Sequence, residues 1–187
     1  MNLEEIAKKI CAKGQGILAA DESSGTMKKR LASVNVEDSE KNRLSFREAL
    51  FSSNAMKDYI GGVILFDETI RQKTSAGLTV CELISKNSSI PGIKVDAGAK
   101  PLSGSLDETI TEGLDGLRGR LQEYYKMGAR FTKWRAVYNI GEKYPSVQSI
   151  KSNAHALARY AALVQETNMV PIVEPEVLMD GTHDIEK

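Results

Sequence analysis

Five short runs rich in aliphatic and β-branched residues recur along the chain: Gly16–Asp21, Gly62–Phe66, Gly92–Asp96, Phe131–Val137 and Val170–Glu176. Each has strand length and is entered through glycine, a polar residue or a turn signal. Helical spacing fills the intervals. Ile110, Leu114, Leu117, Leu121 and Tyr124 step by 4, 3, 4 and 3 along one helix face. Ser105 and Glu108 stand at capping-box spacing before that face, and Gly128 follows it. Ile150, Ala154, Leu157, Ala158 and Ala161 predict a second helix after Pro145. A helix led by Asp38, with Phe46, Ala49 and Leu50 as its apolar side, precedes the second strand. The first residues, MNLEEIAKKICAKG, read as an amphipathic helix of mixed charge and not as a signal peptide.

Strand starts at 17, 62, 92, 131 and 170 lie 45, 30, 39 and 39 residues apart, room in each case for a strand, a crossover helix and two loops. Strands alternating with helices predict an α/β fold with a parallel sheet and right-handed crossovers. No repeat, linker or low-complexity stretch interrupts the series, so residues 1–187 are expected to lie in one domain.

Composition narrows the function classes. With 41% hydrophobic and 27% charged residues in 187, the chain is of globular type, not collagenous, disordered or disulfide-built. Lys+Arg and Asp+Glu both number 25, and the longest basic run is Lys28-Lys29-Arg30, so no nucleic-acid partner is expected and any anionic partner is small. No apolar run is long enough to span a membrane. Cys11 and Cys81 sit in apolar stretches and read as reduced core thiols of a cytoplasmic protein. His155 and His183 are too few and too scattered for a metal site, and no cofactor motif is present.

The informative anomaly is charge inside strands. Parallel strands are covered on both faces and normally read as apolar runs. Here the third carries Lys94 and Asp96, the fourth Lys133 and Arg135, the fifth Glu174 and Glu176, and the first ends on Asp21. Each pair is spaced i, i+2 and so points to one side of its strand. Trp134 points the other way, toward the helix layer. Seven charges are tolerable only around a wet site at the C-terminal mouth of the sheet. They comprise four anions and three cations, one positive charge short of balance. Lysines among other cations suit attack on a carbonyl, carboxylates move protons, and Arg with Lys suits a phosphate. The set points to Schiff-base carbonyl chemistry on a small anionic substrate. Residue by residue, other readings stay open: Asp21 as a helix cap, Lys94 and Asp96 as a local pair, and Glu176 as a loop anchor.

The segments GILAADES, GGVILF, GIKVD, KWR and VPIVEPE, in this order and at these separations, resemble class I fructose-bisphosphate aldolase over essentially the whole chain. The resemblance implies a (β/α)8 TIM barrel that reversibly cleaves fructose 1,6-bisphosphate to the triose phosphates dihydroxyacetone phosphate and glyceraldehyde 3-phosphate, with neither metal nor other cofactor. It implies catalytic roles for Asp21 (acid/base at the C4 hydroxyl), Glu174 (proton transfer as the carbinolamine becomes an iminium) and Lys133 (assisting that step and orienting substrate). It also implies substrate-binding roles for Arg43, Lys94, Arg135, Glu176, Ser23 and Thr26, and a homotetramer for the full-length form. The family's Schiff-base lysine lies on its sixth strand in a Glu-Gly-x-Leu-Leu-Lys-Pro segment, and no such segment occurs here. The expectation is therefore the first five βα units of the barrel, ending in the loop and helix after the fifth strand and inactive alone.

Overall fold

The five predicted runs become five strands of one parallel sheet. The structure, a computed structural model, describes residues 1–186. Helix α1 (Leu3–Ile10) is closed by a capping box between Asn2 and Glu5 and leads into β1 (Gly16–Ala20). Three helices, α2 (Ser24–Ser33), α3 (Glu40–Phe51) and α4 (Ala55–Tyr59), return the chain to β2 (Ile60–Leu65). The short α5 (Asp67–Ile70) and α6 (Val80–Lys86) precede β3 (Ile90–Lys94). An antiparallel hairpin, β4 (Ala99–Pro101) and β5 (Thr109–Thr111), comes next, then α7 (Leu117–Met127), β6 (Phe131–Tyr138), α8 (Val147–Glu166) and β7 (Val170–Val177). The sheet order is β1-β2-β3-β6-β7, all parallel, so β1 and β7 are its edges.

The sheet curls around α1. Ile6 and Ile10 of that helix pack with Ile17, Ile64, Ile90, Phe131, Val170 and Ile172, which come from all five strands. One helix can touch every strand only if the inner face is concave, so the architecture is a half-barrel with α1 at its floor. The larger apolar cluster lies on the convex side. There Val63, Leu65, Ile93, Val95, Trp134 and Ala136 meet Phe51, Ile84, Leu121, Tyr160 and Val164 of the helices. Trp134 is fully buried, its ring centroid 5.3 Å from that of Tyr160. At the open edge Val173 and Val177 of β7 remain 47% and 52% exposed.

Several sequence expectations are corrected. Ser105 and Glu108 cap no helix at that point. The β-branched Thr109-Ile110-Thr111 forms a strand, and Gly113 and Gly116, both at positive φ, delay the helix to Leu117. Glu108 instead accepts hydrogen bonds from the Ser146 amide and hydroxyl, at the N-cap of α8. On α3 the buried residues are Arg47 and Phe51, while Phe46 and Leu50 are each more than a third exposed. On α8 the buried stripe is Ser149, Asn153, Ala156, Leu157, Tyr160 and Val164, with Ile150 outside it. Asn153 earns its burial by bonding Thr111 N–H and the Thr109 carbonyl of the hairpin. Cys81 is buried as expected, but Cys11 is exposed. No helix follows β7 among the described residues.

Candidate active site

Register puts the charged positions on the concave face. Lys94 of β3 is paired with Lys133 of β6, and Arg135 of β6 with Glu174 of β7. Parallel partners point the same way, so these side chains and Glu176 line the C-terminal mouth above the Ile–Phe floor. Asp21 follows β1 directly and reaches the same space.

The seven charges settle into three pairs and a remainder. Lys133 Nζ lies 2.8 Å from Asp21 Oδ2. Lys94 pairs with Asp96, whose carboxylate also accepts the Arg135 and Gly98 amides. Arg135 grips Glu176 with two guanidinium nitrogens. Glu174 shares its cation with Asp21: Lys133 is 3.5 Å from Oε2, and among the described residues that buried oxygen has no hydrogen bond. Side-chain exposures run from 11% for Asp21 and 13% for Lys133 to 30% for Glu174, 36% for Glu176 and 39% for Arg135.

Electrostatics follow from these contacts. Burial acts against the Lys133 ammonium, but the hydrogen bond and charge of Asp21, with the charge of Glu174, outweigh it and hold the amine above its ordinary value. Lys133 is therefore a poor free nucleophile and a good electrostatic anchor. The Arg135 guanidinium holds the Glu176 carboxyl below the usual range.

Two of the open alternatives close. The α2 cap is Ser23, whose hydroxyl accepts the Thr26 amide at 3.3 Å, so Asp21 is free of that task. Lys94 and Asp96 do form a local pair, inside the cluster. Ser23 and Thr26 are exposed, their hydroxyls 3.2 Å apart. Ser23 joins Lys94, Asp96, Arg71, Arg120 and Tyr124 around an open cleft of about 650 Å³ beside the mouth. Arg43 does not join the cluster; its guanidinium is held by Asp38 and Glu68, each at 2.6 Å. Among the described residues no group of three or more His, Cys, Asp or Glu side chains is placed to hold a metal ion.

Sequence reasoning missed a second polar layer beneath the mouth. Arg47, with 1% of its side chain exposed, donates to Thr69 Oγ1 and to the Glu22 carbonyl, both at 2.6 Å. The available signal was a cation four residues after Arg43 on a helix whose apolar face was assigned elsewhere.

The family model for fructose-bisphosphate aldolase class-I matches residues 2–187. The chain belongs to the class I fructose-bisphosphate aldolase family. It is 59% identical over 184 residues to a probable fructose-bisphosphate aldolase class 1 of Xanthomonas axonopodis pv. citri, covering 98% of this chain and 55% of that protein. It is 57% identical over 185 residues to the cytosolic fructose-bisphosphate aldolase 5 of Arabidopsis thaliana, covering 99% of this chain and 52% of that one. A solved fructose-bisphosphate aldolase from Plasmodium falciparum, in complex with TRAP and a small-molecule inhibitor, superposes with a TM-score of 0.94 at 47% identity. That match covers 97% of this chain and 53% of the solved one. The chain spans about half the length of the aldolases it matches. The half it matches includes the strands that carry the Asp21–Lys133–Glu174 cluster.

Proposed function

We propose that residues 1–187 supply the first five strands of one closed (β/α)8 barrel domain that cleaves fructose 1,6-bisphosphate reversibly through a Schiff base. The single observation that carries the reading is the Glu174 carboxylate, which only shares Lys133 with Asp21 and whose buried Oε2 has no hydrogen bond among the described residues, a deficit of positive charge on the β7 side of the mouth. A lysine from strands beyond β7 meets that deficit and serves as the nucleophile toward the C2 carbonyl. Glu174 then passes the proton that lets water leave as the carbinolamine becomes an iminium. Asp21 takes the C4 hydroxyl proton as the C3–C4 bond breaks and its electrons move toward the iminium. Lys133 stabilises both carboxylates and orients the sugar. Lys94 and Arg135 line the substrate path, with Arg135 steadied by Glu176. Ser23, Thr26 and Arg43 serve the phosphate side, Arg43 after exchanging one of its carboxylate partners. The complete enzyme works as a homotetramer in the cytoplasm, the compartment in keeping with cytosolic relatives.

The test is complementation. This chain is co-expressed with the part of the Xanthomonas relative that lies beyond the matched stretch. Triose phosphate release should require both pieces, and borohydride should trap the substrate on the added piece. Glu174→Gln should slow turnover by roughly 10²–10⁴-fold. A trapped adduct on Lys133 or Lys94 of this chain alone would overturn the assignment and make that lysine the nucleophile. The open cleft beside Ser23 and Lys94 favours a second reading, sugar-phosphate binding without catalysis. Millimolar affinity in calorimetry together with failed complementation selects it.

A further inference from the structure

The proposed reaction leaves Arg47 without a task, yet this arginine is among the most enclosed side chains of the protein. It projects from the buried face of α3 to the underside of the mouth. One guanidinium nitrogen donates to the carbonyl of Glu22, the residue next to Asp21, and the other to the hydroxyl of Thr69 on α5, just past β2. One side chain thus fastens the loop after β1 to α5 at the C-terminal end of the sheet.

Its two ion pairs are long, and its short contacts are of another kind. Burying a guanidinium is costly unless a carboxylate sits against it. The nearest carboxylate oxygens, of Glu22 and Glu68, are 3.8 and 4.0 Å away. Glu22 spends its other oxygen on Arg30, and both Glu68 oxygens are taken by Arg43. The direct bonds of Arg47 go to two neutral oxygens, and among the described residues its Nε has no partner. Burial, felt more strongly than the surrounding carboxylates, lowers its proton affinity. An apolar side chain such as Phe51, on the same face of α3, fills this layer without that cost. What the arginine adds is a rigid hold on one particular carbonyl.

We propose that Arg47 is a positioning residue, holding the Glu22 carbonyl so that the preceding Asp21 carboxylate is aimed across the mouth at Lys133. The inference rests on the reading of Asp21 and Lys133 as partners in the reacting cluster. Among the described residues Lys133 is the one cation within ion-pair distance of Asp21.

Lysine reactivity tests this on the chain itself, with no need for turnover. Lys133 faces Asp21 from the end of β1 and Glu174 and, at longer range, Glu176 from β7, with Lys94 beside it on β3. Trace acetylation with acetic anhydride is followed against pH, with Lys133 and Lys94 read separately by peptide mass spectrometry. Asp21→Asn and Arg47→Met should both move the Lys133 labelling midpoint down by about one pH unit, roughly tenfold more free amine below the midpoint. Lys94 should stay unchanged. A wild-type Lys133 profile in folded Arg47→Met, with Asp21→Asn shifted, overturns the positioning role. If Asp21→Asn leaves Lys133 unmoved, the pair itself is absent and the proposal falls with the site reading. Should Arg47→Met lose the near-ultraviolet dichroism of buried Trp134, Thr69→Val decides instead. It removes one of the two anchors at nearly constant volume, and a downward Lys133 shift supports the role while no shift overturns it.

Discussion

Asp21 and Lys133 meet at 2.8 Å although two strands, β2 and β3, stand between β1 and β6 in the sheet. Adjacent strands are about 4.8 Å apart, so in a flat sheet the axes of β1 and β6 would lie about 14 Å apart. The contact is a chord across a curved sheet. It therefore couples the closure of the half-barrel to the electrostatics of the mouth. Removing both partners should cost less than the sum of the two single removals. In urea unfolding, Lys133→Met and Asp21→Asn should show a coupling energy of about 1–3 kcal/mol in a double-mutant cycle. Strict additivity would mean that the chord contributes nothing to stability.

The floor of the mouth depends on a cavity shaped for one ring. A Cβ built on Gly92 lies 2.5 Å from Phe131 Cε1, and one on Gly62 lies 3.0 Å from the same atom. Phe131 occupies the interior space that larger residues on β2 and β3 would fill. Gly92→Ala should lower stability by about 1–3 kcal/mol through overpacking, and Phe131→Leu in the same chain should recover part of the loss. An unchanged denaturation midpoint in Gly92→Ala would show that the ring yields without strain.

Acid should loosen the hairpin that overlies β6. Glu108 is 7% exposed and accepts hydrogen bonds from the Ser146 amide and hydroxyl and from Ser105. Burial raises its proton affinity, but these donors together outweigh it and hold the carboxyl below the ordinary 4.5. A carboxylate depressed on folding stabilises fully above its unfolded value and loses that contribution as pH falls through its folded one. The melting temperature should therefore drop below pH about 4.5, and Glu108→Gln should flatten that part of the curve. An identical acid slope in the variant would exclude Glu108 as a contributor.

The two thiols should differ sharply toward a disulfide reagent. Cys11 is exposed at the end of α1, whereas Cys81 is buried and burial pushes its thiol up to about 12. Since the thiolate is the reactive form, the native protein should release one equivalent of thionitrobenzoate quickly and the second only on unfolding. Two fast equivalents would mean that α6 opens readily.

The five strands and their order of chemistry were legible because a buried parallel strand must be apolar, and the exceptions to that rule announce themselves. Lys94, Lys133, Arg135, Glu174 and Glu176 stood out as charges at i, i+2 in such runs, and the structure brings them to one concave face with Asp21. Helix faces were less legible. Arg47 on α3 and Asn153 on α8 are buried through hydrogen bonds to loops distant in sequence, and hydrophobic spacing carries no trace of such bonds. The hairpin at 99–111 was hidden for the same reason, since Ile110 fits a helical stripe as well as a strand until Gly113 and Gly116 break the helix. Local pattern determined which segments are strands and which charged residues stand inside them. Only the tertiary structure decided who pairs with whom, because an ion pair across a curled sheet depends on curvature, a property of five strands together.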